Sequence, residues 1–202
     1  MQRPARLGLL ISGSGRSALN ILDACERGHL DARVALVVAH REEVEGVARC
    51  RARGLRVAVV PTGPNLEDRL DACLEASSVD LVCLAGYLRR FRVHERWTGR
   101  ALNIHPSLLP KFGGAGMYGL RVHAAVLASG EPETGCTVHF ADEEYDRGAI
   151  VAMRRCAVEA GDTPETLAAR VFREECSAYP EAIATVLSRR PSEVDACAEA
   201  SR

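Results

Sequence analysis

The sequence predicts an α/β fold, a mostly parallel twisted sheet flanked by helices, with an antiparallel extension toward the C-terminus. Three observations carry this. Short, almost wholly apolar runs recur through the first half, as expected for strands buried on both faces. Segments with apolar residues at helical spacing separate them, which is the alternation of a parallel sheet. Later, two strand-like runs joined by an acidic turn break that alternation and read as a hairpin.

The first run, LGLLI from Leu7, ends at the glycine-rich turn SGSGRS, residues 12–17. The next stretch, RSALNILDACERG, sets Leu19, Ile21, Leu22 and Cys25 at helical spacing and stops at Gly28. RVALVV at 33–38 predicts a second strand, with a polar helix over about 41–52. LRVAVV at 55–60 predicts a third strand, PTGPN at 61–65 a turn, and 66–76 a helix. DLVCLAG at 80–86 gives a fourth strand. GYLRRFRVHERW at 86–97 is expected to begin as a loop and become a short helix. ALNIH at 101–105 reads as a strand ended by Pro106. KFGGAGMYG at 111–119 has too many glycines for a helix or central strand and is long enough to wall a site. A helix is expected over about 120–128, two strands within 135–158, and a long amphipathic helix to about 187. Asp162-Thr163-Pro164-Glu165 forms the capping pattern of that last helix. Residues 1–190 read as one domain and 191–202 as a loosely held tail.

Composition excludes several classes. The 202 residues carry a formal net charge of -1, so no general cationic surface for nucleic acid is implied. No run approaches the ~18 apolar residues of a membrane span, and LGLLI is too brief for a secretory signal. The eight cysteines (25, 50, 73, 83, 136, 156, 176 and 197) are scattered without a C-x-x-C pair. Several lie inside apolar runs, as reduced thiols do, which points to the cytoplasm.

Two stretches could carry chemistry. In ALNIHPSLLP, Asn103 and His105 share one side of a strand, because side chains repeat every second residue. An amide can donate to a carbonyl oxygen as charge develops there, and an imidazole can move a proton near neutral pH. In SGSGRS, Gly13 and Gly15 allow a tight turn with N–H groups facing out, a form suited to an anion such as a phosphate. A purely structural turn fits the same residues. Ala18 replaces the third glycine of a dinucleotide fingerprint, and the Lys-Ser/Thr ending of an ATP loop is absent. Asp142, Glu143, Glu144 and Asp146 can be solvated turn acids, metal ligands or a histidine's carboxylate partner. No closely spaced histidine pair stands beside them, so no metal site is expected.

These motifs resemble the phosphoribosylglycinamide formyltransferase family, folate-dependent enzymes of purine synthesis. The resemblance runs from about Leu7 to Leu187 and is strongest in LLISGSGRS, LAGYLRRF, LNIHPSLLPKF, TVHFADEEYDRG and REECSAYP. It implies a Rossmann-like sheet and a formyl transfer from 10-formyltetrahydrofolate, a co-substrate, to the amine of glycinamide ribonucleotide, without metal. It makes Asn103, His105 and Asp146 the catalytic trio, and His139 a positioning residue. Gly13, Ser14, Gly15, Arg16, Ser17 and Glu175 then fall on nucleotide-substrate contacts. Leu88, Arg89, Arg90 and Phe91 fall on the folate segment, with Asp142 against the pterin. Small-molecule substrates, no nucleic acid, no membrane and a monomer or homodimer complete what it implies.

Three departures from the family pattern stand out. Arg16 replaces a small hydroxyl and Ser17 a longer amide in the first loop, and Cys176 stands where a histidine usually follows the glutamate. KFGGAGMYGLRVH matches a longer bacterial form of its loop. Alternatives are a formyltransferase for amino sugars or initiator tRNA, formyltetrahydrofolate hydrolase, and a non-catalytic nucleotide- or folate-binding module. The tRNA enzyme normally has a further C-terminal domain, and the hydrolase an N-terminal regulatory domain, for which this chain has no room.

Overall fold

The computed structural model describes residues 3–188. The expected tail, 191–202, and Cys197 lie outside the described residues. The fold is a mixed, mostly parallel sheet flanked by helices, and the chain divides into two compact units between Leu102 and Asn103.

In the first unit, β1 (Ala5–Leu10), β2 (Ala32–Ala39), β3 (Val57–Val59) and β4 (Leu81–Leu84) lie in the order β3-β2-β1-β4. All three pairings are parallel. Their connections are α1 (Arg16–Glu26), α2 (Glu45–Ala52) and α3 (Leu66–Ala76). The apolar runs form the core: Leu7, Leu9, Leu10, Val37, Val38 and Val82 are fully buried. Gly8 lets α3 approach the sheet, since a Cβ there would stand 2.8 Å from Leu74 Cδ2. The order reverses at β1, so the loops after β1 and β4 are neighbours. Ser12 N–H donates to the Gly86 carbonyl (3.1 Å), and Ser12 Oγ accepts from Leu88 N–H (3.0 Å).

Two expectations change here. The second helix begins at Glu45, after an exposed turn at Arg41–Glu43, and not near 41. No helix forms within 86–97. Long side chains pin that segment to α3 instead. Asp71 accepts from Trp97 Nε1 (2.8 Å) and contacts His94 Nε2 (2.9 Å) and Arg92 (3.1 Å).

In the second unit, β6 (Glu133–Phe140) lies between β5 (Ala101–His105) and β7 (Ile150–Ala157). The first two residues of β5 belong to the first unit. β6 and β7 are antiparallel, the hairpin expected. Gly135 permits that pairing, because a Cβ would fall 1.8 Å from the Arg154 carbonyl oxygen. The helices are α4 (Leu120–Ser129) and α5 (Pro164–Ser188). α5 packs on both strands through Leu167, Val171, Tyr179, Ala182 and Ile183. Its N-cap is Thr163, whose Oγ1 accepts from Thr166 N–H (3.3 Å).

Candidate functional site

The second unit gathers four polar side chains at one place. Asn103 and His105 sit on the same side of β5, while His139 comes from the end of β6. Asp146 comes from the turn before β7, where its backbone takes φ 59, a left-handed conformation for a residue with a side chain. Gly148 completes the turn by close approach, since a Cβ there would lie 1.9 Å from the Phe140 carbonyl oxygen. His105 is 4% exposed and His139 2%. No group of three or more His, Cys, Asp or Glu side chains among the described residues is arranged to hold a metal ion.

Hydrogen-bond directions fix the proton positions. His105 Nε2 stands 2.8 Å from the Phe112 carbonyl oxygen, which can only accept, so Nε2 carries a hydrogen. His105 Nδ1 then turns its lone pair toward Asp146 Oδ2, 3.4 Å away. That contact becomes an ion pair when Nδ1 takes up a second proton. His139 Nδ1 lies 2.8 Å from the Phe140 carbonyl oxygen and so carries its hydrogen on that side. Its Nε2 stands 3.1 Å from Asn103 Nδ2 and 3.4 Å from Asp146 Oδ1. A hydrogen on Nε2 would suit the carboxylate but oppose the amide, and the Phe140 contact decides for Nδ1. Asn103 Nδ2 therefore donates to His139 Nε2 and to Asp146 Oδ1 (3.2 Å). Gly114 N–H donates to Asp146 Oδ2 at 2.9 Å.

These surroundings tune the cluster. Burial pushes His105 below the ordinary histidine value, outweighing Asp146 and the Phe112 carbonyl, which pull it up, while His139 adds a further downward push. Burial acts to raise the Asp146 carboxyl, but His139 and His105, through the protonated form of each ring, and the Gly114 N–H together hold it below its usual range. The arrangement is a buried neutral base, His105, facing a carboxylate, with an amide oriented by that carboxylate and by His139. It can accept one proton and stabilise it at once.

The loop 111–119 meets this cluster through Phe112 and Gly114. Two residues that spacing did not single out belong here. Phe112 takes φ 58, which turns its carbonyl to His105. His123 on α4 is 4% exposed, with Nδ1 unpartnered, and is pushed down to about 4, first by burial and then by His105. The glycines at 113 and 114 were the available signal for the first. Nothing in the sequence marked the second.

The other expected site residues lie as follows. In the first unit, Gly15 (φ 72) is the N-cap of α1 and supplies no capping side chain. Arg16 is exposed, and Ser14 and Ser17 are half-buried. Leu88, Arg89 and Arg90 are exposed, whereas Phe91 is buried against Trp97, ring centroids 6.2 Å apart. In the second unit, Asp142 is half-buried and its Oδ1 accepts from Glu144 N–H at 2.9 Å. Glu175 is half-buried on α5, and its charge helps raise the Cys136 thiol, which burial chiefly drives up to about 12. Glu143 and Glu144 are exposed.

Comparison with known proteins now adds to this geometry. The sequence profile described as "Formyl transferase" matches residues 5–183. The chain is 39% identical over 197 residues to the chloroplastic phosphoribosylglycinamide formyltransferase of Arabidopsis thaliana, covering 93% of this chain and 67% of that protein. It is 34% identical over 182 residues to the phosphoribosylglycinamide formyltransferase of Haemophilus influenzae, covering 87% and 84% respectively. It spans smaller shares of other relatives, 62% of the Vigna unguiculata protein and 18% of a chicken trifunctional purine biosynthetic protein. In structure it is similar to glycinamide ribonucleotide transformylase 1 from Symbiobacterium toebii, with a TM-score of 0.84 and 39% identity over 94% of this chain and 91% of that one.

Proposed function

This chain belongs to the formyl transferase family, and from that premise we propose that it moves the formyl group of 10-formyltetrahydrofolate to the amine of glycinamide ribonucleotide, a step of purine biosynthesis. The observation that carries the reading is the convergence of Asn103, His105 and Asp146, with His139, on one buried point. The amine nitrogen attacks the formyl carbon, a C–N bond forms, and the carbonyl oxygen takes the charge of a tetrahedral intermediate. Collapse of that oxygen breaks the bond to the folate nitrogen, which leaves with a proton. At rest both N–H groups of Asn103 are given to His139 and Asp146, and one of them is redirected to the developing oxyanion when the substrates are bound. His105 Nδ1 receives the proton lost by the amine, and Asp146 stabilises the imidazolium until the leaving nitrogen takes it.

The remaining assignments follow the family. Gly13, Ser14, Gly15, Arg16 and Ser17 hold the phosphate through backbone N–H groups and the start of α1, and Glu175 contacts the ribonucleotide. Leu88, Arg89 and Arg90 face the folate, Phe91 fixes that segment from inside, and Asp142 meets the pterin. Residues 1–190 form the formyltransferase domain, a reading supported by the match over 5–183. No described helix is long and apolar enough to cross a membrane. All seven described cysteines are free, which supports a place in the cytoplasm. The partners are small molecules and not nucleic acid, in a monomer or homodimer.

The test is spectroscopic. Tetrahydrofolate release from 10-formyltetrahydrofolate is followed with and without glycinamide ribonucleotide. Release only when the ribonucleotide is present supports the reading. Equal release in its absence would make the protein a hydrolase.

A further inference from the structure

We propose that Arg49 and Gly46, on α2, are positioning residues that aim the Gly13–Ser17 loop at the phosphate, an inference that rests on the function proposed above. Two carbonyl groups of the loop are tied to this helix. Gly46 N–H donates to the Gly13 carbonyl at 3.1 Å, and Arg49 Nη1 donates to the Ser14 carbonyl at 3.0 Å. The loop peptides are trans, since among the described residues only Leu109–Pro110 is cis. In a trans peptide the C=O and the following N–H point to opposite sides. Holding the carbonyls of 13 and 14 against α2 therefore turns the N–H groups of Ser14 and Gly15 the other way. It also removes two negative oxygen dipoles from the side on which an anion must arrive. The first N–H groups of α1, which lack partners within their own helix, add to the same site.

The fit of helix to loop is backbone on backbone. A Cβ on Gly46 would stand 2.7 Å from the Gly13 carbonyl oxygen and 2.9 Å from Gly15 N. A Cβ on Gly15 would stand 2.9 Å from Gly46 Cα. Neither neighbour is a side chain that can swing aside. Arg49 is steadied by Glu45, one turn earlier at 3.6 Å, and its side chain is 40% exposed. A guanidinium serving packing alone would not need to end on a loop carbonyl. Here it completes the second of two latches on consecutive peptides, so α2 acts on the phosphate through the loop.

Calorimetric titration of the full chain with glycinamide ribonucleotide, and separately with tetrahydrofolate, tests this. R49M, which keeps bulk but loses the donors, should raise the ribonucleotide Kd ~10-fold, the scale of one charge-assisted hydrogen bond. The tetrahydrofolate Kd should stay within ~2-fold, a split that a general structural role would not produce. R49K, which reaches nearly as far and can donate to the same carbonyl, should recover the ribonucleotide Kd to within ~3-fold. G46A should weaken the ribonucleotide more than R49M does, although alanine is the better helix former. The inference is overturned if R49M binds the ribonucleotide as wild type does. It is equally overturned if R49M weakens tetrahydrofolate as much as the ribonucleotide, because α2 would then support the fold and not aim the loop. Absence of ribonucleotide binding in the wild type would overturn the reading of the loop itself, and this inference with it.

Discussion

The two units do their work with different parts of the chain. The first offers backbone. Its candidate loop turns on Gly13 and Gly15, two of the loop carbonyls are tied to α2, and ion pairs such as Arg53 with Asp23 and Glu26 are exposed. The second offers side chains. Asn103, His105, His139 and Asp146 are held by one another and by the carbonyls of Phe112 and Phe140. Backbone dipoles have no pKa and no rotamers, so recognition built from them is electrostatic and adds no titrating group of the protein. Buried titratable groups are the reverse: their state depends on every neighbour, and one substitution resets the rest. The candidate proton-handling cluster thus lies after Leu102, whereas the residues proposed to bind ligands fall in both units, Asp142 and Glu175 in the second.

The largest losses are expected at the cluster. His105→Ala and Asn103→Ala should each lower turnover by ~100-fold or more, with circular dichroism unchanged. Near-normal turnover in either purified variant would mean that the cluster is packing only. The matching change in the first unit is Arg16→Ala. It removes a side chain and leaves the loop backbone in place, so the ribonucleotide Kd should rise only ~10-fold, with folate binding unaffected. Equal weakening of both ligands, by calorimetry, would show that Arg16 acts elsewhere.

Stability should follow the second unit's chemistry in pH. His123 is buried and its folded value lies near 4, against 6.5 for an ordinary histidine. Between those values the unfolded chain binds the proton and the folded chain does not. Its contribution is complete above 6.5 and is lost as pH falls toward 4, at most about 3 kcal/mol. Urea midpoints measured from pH 7 to pH 4.5 should fall, and the fall should flatten in His123→Leu. The smallest effect is expected at Glu143→Gln and Glu144→Gln, which change exposed acids of the turn and should leave turnover within ~2-fold.

Much of this contrast was legible before the fold was seen. The strands of the first unit were readable because each is a compact apolar run, and Gly13 and Gly15 announced a turn. Asn103 and His105 shared a face because β5 runs straight through both. What stayed hidden depended on distant partners. The expected helix within 86–97 gave way to contacts of Arg92, His94 and Trp97 with Asp71, which no local propensity encodes. By pattern alone Asp146 looked like its acidic neighbours and only the family resemblance singled it out; in the structure a positive φ sets it apart from Glu143 and Glu144. Gly148, two residues later, serves by close approach to Phe140, which no local pattern marks. The balance at His105 was hidden too: Asp146 pulls its pKa up, but burial pulls harder in the opposite direction.

The most direct measurement is therefore made on Asp146→Asn, which keeps size and removes charge. Its kcat is measured across pH, and the Kd of each ligand by titration. Because Asp146 raises and burial lowers the His105 pKa, the acid limb of wild-type kcat should lie below 6.5 and move lower still in the variant. Turnover should fall by ~100-fold, while both ligands bind within ~10-fold of wild type. Normal turnover with an unmoved acid limb, or a loss of the same size in Glu143→Gln, would contradict the assignment of proton handling to this cluster.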